Sequence, residues 1–459
     1  MIRHPSMSVR MVGGAFCFLA AFTLLPSTAK AIPSFAQQTG QPCSACHVGA
    51  FGPQLKPYGR DFKLHGYVAT DREKDNDLTE RVTVAARTSF TNTAVGQYPN
   101  AGGVGFGPNN NFAFDQAMVF YGGRITKTVG ALAEISYDGI NRQFAWDAFD
   151  LRHAHEGDVF GTDYLAGVTL GNQIGNTSVW NSVSPWGFPY TESGLAPSPQ
   201  AGTLMDDTLN AQVIGPGVYG LWDDWLYAEA ALYIPLSKSF DKFTGVAPNA
   251  PDTYDGVIPY WHVALQQDFD HHKHYAQIGT FGLSADRYPG NDHSAGQTDH
   301  ITDIGAEANY QWLVDADNTL SFHTSYIDEH QSLTASRALN GTNPSDDLRT
   351  FRADATYAIN NTYVPSVQYF KINGSNDPAQ YTNSSNGSPN SEGYVIDLAY
   401  VPFGKTDSPM PWGNARLALQ YTGYTKFDGT SKGASNNNTI FLNLWLTAAP
   451  LKAILGNGK

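Results

Sequence analysis

The sequence is poor in cysteine, methionine, basic residues and long apolar runs. It has 3 Cys and 6 Met among 459 residues, and 28 Lys and Arg against 42 Asp and Glu. A net charge of −14 argues against the basic patch that nucleic-acid phosphates require, so no nucleic-acid partner is expected. After residue 31 no apolar stretch approaches the ~20 residues that a membrane helix needs. No helical repeat, Pro-Ser linker or second core signature divides the chain into soluble domains.

The first 31 residues have the organisation of a cleavable export signal. A basic start is followed by an apolar run and then by the small-residue site Ala29-Lys30-Ala31. The apolar run is too short to span a bilayer comfortably, and no charged stop-transfer flank follows it. We therefore predict a signal peptide at residues 1–31, and a mature chain that starts near Ile32 and leaves the cytoplasm.

The sequence is rich in aromatic residues and glycine, with 24 Tyr, 25 Phe, 9 Trp and 45 Gly. From about Leu78 onward, segments of about ten residues alternate between apolar and polar positions, as the strands of membrane β-barrels do. In residues 349–359, for example, the apolar side chains of Phe351 and Ala353 flank Arg352. The composition and the period of two both favour a membrane β-barrel.

Connection lengths separate a membrane barrel from a soluble sandwich, whose strands also alternate. The segments number about sixteen, and even strand numbers are usual in bacterial outer-membrane barrels. Long connections fall near residues 93–111, 174–208, 235–256, 287–297, 331–346, 374–391 and 428–437. Short turns separate most of them, except that the third-to-fourth connection is short and the 404–411 turn is long. The prediction is an all-β fold, a transmembrane antiparallel barrel of about 16 strands over residues 78–459.

The N-terminal segment before the barrel, residues 32–77, contains Cys43, Cys46 and His47 in a C-x-x-C-H motif. Because Cys17 lies in the predicted signal peptide, the motif holds both cysteines of the mature chain. A thioredoxin-like site would need a βαβ context, and a zinc site would need a second pair of ligands; the sequence offers neither. The motif is typical of c-type haem attachment. We predict one covalent haem c on Cys43 and Cys46, with His47 as the proximal iron ligand.

The second axial ligand of this haem is harder to predict. Haem c commonly takes Met or His there, and no Met lies between His47 and Met118. Residues 54–67 predict a short helix with His65 near its end, and His65 is the candidate distal ligand. Three alternatives stay open: an exposed histidine without this role, a lumen-facing histidine of a strand, and Met118.

The predicted short helix has two kinds of side chain. Apolar and histidine side chains recur at helical spacing and predict one common face: Leu55, Tyr58, Phe62 and His65. Three cations are expected to point elsewhere: Lys56, Arg60 and Lys63. These cations could neutralise the haem propionates.

A second run rich in histidine and aspartate, DFDHHKHY at residues 268–275, has the residue types of a metal cluster. It falls in a predicted short turn on the periplasmic side. Consecutive polar residues in a hairpin turn usually face water. We therefore predict a solvated turn there rather than a metal site.

The run IPSFAQQTGQPCSACH, then FGPQLKPYGRDFKLHGY, then a porin-like barrel resembles the fused monohaem cytochrome–porins of bacterial outer membranes. That family includes the iron-oxidising outer-membrane cytochromes. The resemblance covers the whole mature chain in architecture, but its specific motifs are confined to residues 32–67. It implies thioether sites at Cys43 and Cys46, a proximal ligand at His47, and a location in the bacterial outer membrane. The haem segment would lie on the periplasmic side or in the barrel lumen.

The function expected from motif and resemblance is electron transfer through one c-type haem. An extracellular reductant, with Fe(II) as the expected donor, would reduce the haem, and a periplasmic cytochrome or copper protein would accept the electron. Outer-membrane lipid would surround the barrel. The alternative is a diffusion porin with a haem-bearing plug or sensor segment. The sequence leaves open whether the protein acts as an Fe(II) oxidase, and it leaves the oligomeric state open.

Overall fold

A computed structural model describes most of the chain. The described residues are 34–68, 81–97, 105–175, 177–182, 187–207, 209, 212–237, 239–240, 253–405 and 413–448. The predicted signal peptide at residues 1–31 lies outside them. So does most of the stretch between the N-terminal segment and the first strand.

The described chain is dominated by strands. They are β1 (Val82–Thr93), β2 (Asn111–Arg124), β3 (Val129–Asp138), β4 (Gln143–Val159), β5 (Thr162–Gly171), β6 (Val213–Trp222), β7 (Leu226–Pro235), β8 (Thr253–Asp255), β9 (Ile258–Phe269), β10 (His274–Tyr288), β11 (Asp299–Leu313), β12 (Thr319–Ser332), β13 (Ser345–Ala358), β14 (Tyr363–Gly374), β15 (Ser391–Tyr400), β16 (Gly413–Lys426) and β17 (Thr439–Ala448). The helices are short: α1 (Ser34–Thr39), α2 (Cys43–Cys46), α3 (Pro57–Leu64), α4 (Leu204–Asp207) and α5 (Thr334–Asn340). No helix among the described residues is long and apolar enough to cross a membrane.

The strands form one closed antiparallel barrel. Each long strand pairs with its neighbour in sequence, and β1 closes the ring by pairing with β2 on one side and β17 on the other. The three-residue β8 pairs only with the end of β10 that lies beyond β9. Sixteen strands therefore make the barrel wall, and β8 is an addition at its rim. The predicted fold class and strand number are confirmed.

The two faces of the wall have opposite polarity. On β12, Ser321, His323 and Ser325 point inward and are buried, whereas Phe322 and Tyr326 point outward and are exposed. The same alternation recurs around the ring, with buried Asp, Glu, Gln, Asn and Arg side chains inside and exposed Val, Ile, Leu and aromatic side chains outside. A water-soluble barrel would have the reverse arrangement. An apolar outer face with a polar interior requires lipid around the barrel.

Long and short connections lie at opposite ends of the barrel. Short turns join β2 to β3, β4 to β5, β6 to β7, β9 to β10, β11 to β12 and β13 to β14. The longer connections lie at the other end, with two exceptions. The link between β3 and β4 has only four residues, and the long link between β15 and β16, residues 401–412, lies at the end with the short turns. The chain enters β1 and leaves β17 at the end with the short turns.

The lumen is occupied from both ends. The long connection between β5 and β6 folds inward, where Val179 and Trp180 pack against Leu64 of α3 and Tyr219 of the wall. A cavity of about 340 Å³ remains between this connection and the inner faces of β13, β14, β16 and β17. Its lining includes Asp206 and Arg352, which form an ion pair with 3.3 Å between Oδ1 and Nε.

Candidate haem-binding site

Residues 34–68, called the plug below, lie inside the barrel. Direct contacts join the plug to inward-facing side chains on β1, β4, β6, β11, β12, β16 and β17. For example, Asn414 on β16 donates to the Ala50 carbonyl at 2.9 Å, and Tyr219 on β6 donates to the Leu64 carbonyl at 2.6 Å. A segment that touches opposite walls of a closed ring can only lie within it.

The C-x-x-C-H motif forms a single helical turn followed by an extended residue. Pro42 precedes the turn with φ −70°, and the His47 N–H closes it on the Cys43 carbonyl at 2.9 Å. The chain then doubles back, so that His47 faces Leu55 in an isolated antiparallel bridge. The Lys56 N–H donates to the Cys46 carbonyl at 2.7 Å. These bonds hold the motif as a compact hairpin, called the motif hairpin below.

Helix α3 packs directly on the motif through Gly59. A Cβ at this position would lie 2.4 Å from the Cys46 carbonyl oxygen, too close for any side chain. The close approach therefore requires glycine, since only a residue without Cβ lets two backbones meet at this distance.

A Gly59→Ala substitution is expected to separate α3 from the motif and to lower the free energy of unfolding by about 1–3 kcal/mol. Chemical unfolding of the detergent-solubilised protein measures this loss. Gly107→Ala is the matched control, because a Cβ there meets nothing closer than 3.8 Å. Equal stability of the two variants would contradict the packing described for Gly59.

The donor set of the motif fits a c-type haem. Cys43 and Cys46 are thiols, and neither they nor His47 are fully covered by protein. Although His47 keeps some accessible surface, burial within the lumen lowers its pKa to about 4. The ring is therefore neutral at pH 7, the form that binds iron. Among the described residues, its buried Nδ1 has no hydrogen-bond partner.

When bound, a haem would supply a one-electron iron centre at this site. Cys43 and Cys46 would anchor it covalently, and His47 would ligate the iron. Burial raises the pKa of Cys43 to about 11 and that of Cys46 to about 12, so both stay protonated at neutral pH. No disulfide competes for these thiols in the described chain.

His65 lies directly after α3, where both of its ring nitrogens face acceptors. Nδ1 is 2.8 Å from the Asp61 carbonyl and 3.1 Å from the Asp61 carboxylate, and Nε2 contacts the Glu156 carboxylate. The hydrogen bond to Asp61, supported by Glu156, raises the pKa of His65 to about 9. To bind iron, His65 would have to lose its proton and exchange one of these acceptors for the metal. Its role as distal ligand stays a prediction.

The pairing of His65 predicts a pH dependence. Because the pKa of His65 is raised, its interaction with the two carboxylates contributes its full stability below the unfolded pKa of 6.5. This stability is lost as pH rises through the folded pKa of about 9. His65→Gln should lower the free energy of unfolding by about 1 kcal/mol or less near pH 6, because both carboxylates are largely exposed. Near pH 10, above the folded pKa, the difference should vanish. Urea unfolding across this range tests the prediction, and a pH-independent difference would contradict it.

Helix α3 buries cationic side chains against the barrel. Tyr58 is 39% exposed, whereas Arg60 and Lys63 are buried. Arg60 and Lys63 can be buried because the surface that receives α3 is the polar interior of a membrane barrel. Buried cations find hydrogen-bond acceptors there.

The three plug cations bind the barrel and its inward loop. Lys63 Nζ donates to the Ser178 carbonyl at 2.7 Å, and Lys56 Nζ lies 3.4 Å from Asn361 Oδ1. The Arg60 guanidinium lies 3.9 Å from the Trp180 ring centroid. These contacts fix α3 in the lumen. Neutralisation of haem propionates by the same cations stays a prediction.

Sequence reasoning missed the wall residues that anchor the plug. Asp150 and Arg152 on β4 are fully buried and form an ion pair at 2.6 Å. Tyr67 donates to Asp150 at 2.5 Å, and Arg152 donates to the Lys63 carbonyl at 3.1 Å. The sequence does show two charged residues at inward positions of one strand. This pattern identifies an anchor for the plug only when the plug is known to lie opposite that strand.

The histidine-rich run at residues 268–275 lies at the turn between β9 and β10. His272 contacts the Asp268 carboxylate, and His274 stacks on Phe269 and Trp312. No cluster of three or more His, Cys, Asp or Glu side chains with metal-binding geometry occurs in the described part of the chain.

Comparisons with known proteins find similarity in fold only. No protein-family model matches the sequence, and no curated protein matches it. Similar solved structures include the outer membrane channel DcaP of Acinetobacter baumannii, with 12% identity, a TM-score of 0.43 and coverage of 80% of this chain and 96% of that one. OprB of Pseudomonas putida has 10% identity, a TM-score of 0.44 and coverage of 80% and 93%. OmpF of Salmonella typhi, in complex with daunomycin, has 10% identity, a TM-score of 0.42 and coverage of 80% and 96%. The barrel assignment rests on the strand pairing of this chain itself.

Proposed function

We propose that the protein is a porin-type barrel of the bacterial outer membrane whose lumen is narrowed by a haem-bearing plug. Its main function would be to let small polar solutes diffuse through the lumen. The observation that carries this reading is the inverted polarity of the wall, apolar toward lipid and polar toward the lumen. The cavity of about 340 Å³, lined by the long connection between β5 and β6, offers room for such solutes. This function needs only the barrel, and the fold therefore favours it most directly.

Conductance in planar lipid bilayers tests the porin reading. The purified full-length protein should insert in discrete current steps, each small because the plug and the inward loop fill much of the lumen. Lys432→Gln, at an exposed loop residue that does not line the cavity, should leave the step size unchanged. Heat-dependent mobility on a gel shows whether the protein is folded. Folded protein that gives no current steps would overturn diffusion as the function.

A second candidate function is electron relay through the haem, and the position of the motif favours it. Cys43 and Cys46 lie within the lumen rather than beyond it, so a haem held there would sit between the two sides of the membrane. An extracellular reductant such as Fe(II) would be the donor, and a periplasmic cytochrome or copper protein the acceptor. With this function we also propose that the chain belongs to the fused cytochrome–porin family, and to its iron-oxidising type.

Intact cells that produce the protein test the relay. Fe(II) added outside should reduce the haem, followed by its absorption, and cells carrying His47→Ala should lose the response. Haem that dithionite reduces but Fe(II) does not would exclude Fe(II) as donor. The porin reading would then stand alone unless another impermeant reductant proved active.

A further inference from the structure

The hairpin that joins β4 to β5 extends past its neighbour β3 at the end of the barrel with the short turns. The last pair between β4 and β3 is at His153, whereas β4 and β5 stay paired as far as Val159 and Thr162. Residues 154–159 of β4 therefore lie beyond the edge of β3. Residues 154–163, called the rim hairpin below, project from the barrel wall.

Phe160 occupies the tip of the rim hairpin and is fully exposed. Its φ is 57°, and that of the next residue, Gly161, is 82°. A two-residue turn with positive φ at both positions favours Asn-Gly, because a bulky side chain is strained there. In the β13–β14 turn, at the same end of the barrel, Asn360 and Asn361 fill the left-handed positions. Phe160 therefore presents a large apolar ring where the turn favours a small polar residue.

The tip of the rim hairpin lies on the water side of the membrane boundary. Aromatic side chains form a girdle where an outer-membrane barrel meets water. Tyr164 on β5 and Trp222 on β6 have stacked rings with centroids 6.5 Å apart, and they belong to such a girdle. Phe160 and the exposed Asp163 precede Tyr164 in the chain, so both lie farther from the membrane. The Phe160 ring therefore faces water rather than lipid.

Carboxylates surround the tip of the rim hairpin. Burial raises the pKa of Asp224 in the β6–β7 turn, and neighbouring negative charges raise it further. The residues that bear those charges are Asp61, Asp163, Asp223 and Asp268. The rim hairpin also exposes Glu156 and Asp158. The sequences of the rim hairpin and of the β6–β7 and β9–β10 turns contain one Lys or Arg, Lys273.

The plug reaches the same end of the barrel. Lys56, whose N–H donates to the Cys46 carbonyl, has its Nζ 3.4 Å from Asn361 Oδ1 in the β13–β14 turn. His65, directly after α3, contacts the Glu156 carboxylate of the rim hairpin. A protein that docks on the rim hairpin would therefore lie beside the segment that contains the haem motif.

We propose that the rim hairpin docks a basic protein of the periplasm, with Phe160 as the apolar anchor and the carboxylates as a charged ring around it. The short turns of bacterial outer-membrane barrels face the periplasm. An aromatic anchor within a polar rim is the usual anatomy of an interface, and opposite charges steer the two proteins together. The partner has the complementary surface, an apolar centre ringed by lysines. This inference rests on the proposed relay, whose electron acceptor it describes by its chemistry.

Binding to the purified full-length protein in detergent, measured by surface plasmon resonance, tests this proposal. The probe is mitochondrial cytochrome c, a small basic protein with lysines around its haem edge. It should bind at low ionic strength and dissociate as salt is added. The same probe with its lysines acetylated keeps its shape but loses its charge, and it should not bind.

Substitutions in the rim hairpin separate the anchor from the charges. Phe160→Ser should raise the dissociation constant at least about tenfold. Asp158→Asn combined with Asp163→Asn should slow association and weaken its salt dependence. The matched controls lie at the opposite end of the barrel: Phe112→Ser at a largely exposed phenylalanine, and Asp292→Asn at an exposed carboxylate. Both controls should bind as the wild type does, and heat-dependent gel mobility shows that each variant is folded.

Other binding results overturn the proposal. No binding by the wild type, or equal binding of the acetylated probe, would exclude charge complementarity. Unchanged affinity in Phe160→Ser, or an equal loss in Phe112→Ser, would exclude the rim hairpin as the site. Self-association of the wild type that Phe160→Ser abolishes would show that a second copy of this chain covers the tip.

Failure of the docking surface is distinguishable from failure of the relay. The docking surface needs no haem, so the double variant Cys43→Ala with Cys46→Ala should bind the probe as the wild type does. A wild type that binds the probe but carries no covalent haem would refute the relay alone. A wild type that stains for haem but does not bind the probe would refute the docking surface alone.

Discussion

Replacing both Cys43 and Cys46 with alanine is expected to give a folded barrel that carries no covalently bound haem. Each thiol supplies one thioether bond, so the loss should be complete in the double variant and partial in the single ones. The plug should still dock, because its wall contacts come from α3 and from residues that flank the motif. Haem-dependent peroxidase staining of a denaturing gel of outer membranes measures the loss.

Ser44→Ala is the control for this experiment, since Ser44 lies between the two cysteines and is not part of the attachment chemistry. It should stain as the wild type does. Covalent haem in the double alanine variant would mean that attachment does not use this motif, and the candidate site would be wrong.

Replacing Arg152 with alanine is expected to be the most destabilising of the wall substitutions discussed. It would leave Asp150 as a fully buried carboxylate without its ion-pair partner and would remove the bond to the Lys63 carbonyl. Breaking a buried ion pair in this way costs about 3–5 kcal/mol. Unfolding in denaturant should report the loss. If the plug is released, the conductance steps should also grow.

Arg349→Ala provides the matched control for the Arg152 experiment. Arg349 pairs with Asp328 at 3.1 Å, but both side chains are about half exposed, at 50% and 49%. Exposed pairs of this kind contribute about 0–1 kcal/mol. A similar loss of stability in the two variants would show that the Asp150–Arg152 pair does not anchor the plug.

The barrel was predictable because its signals are local. Alternation with a period of two, as around Arg352, and the succession of long and short connections are both properties of neighbouring residues. The two irregular connections were visible for the same reason. The C-x-x-C-H motif was equally accessible, since Cys43, Cys46 and His47 are contiguous in sequence.

The surroundings of the candidate site were not predictable, because they come from contacts between distant residues. Gln54 and His323 are 269 positions apart, and Lys56 and Asn361 are 305 apart. The helical pattern of residues 54–67 located α3, Pro57–Leu64, but did not show that Arg60 and Lys63 are buried. Which side of a helix is covered depends on the surface that it meets, and here that surface is a polar wall built from the rest of the chain.

The mass of the peptide that contains residues 43–47 tests the haem site most directly. The protein would be purified from outer membranes of cells that attach haem c, and the peptide measured by mass spectrometry after proteolysis. The peptide should be heavier than its sequence by one haem. An unmodified peptide with two thiols would contradict the haem site and the relay, and would leave a plugged porin barrel.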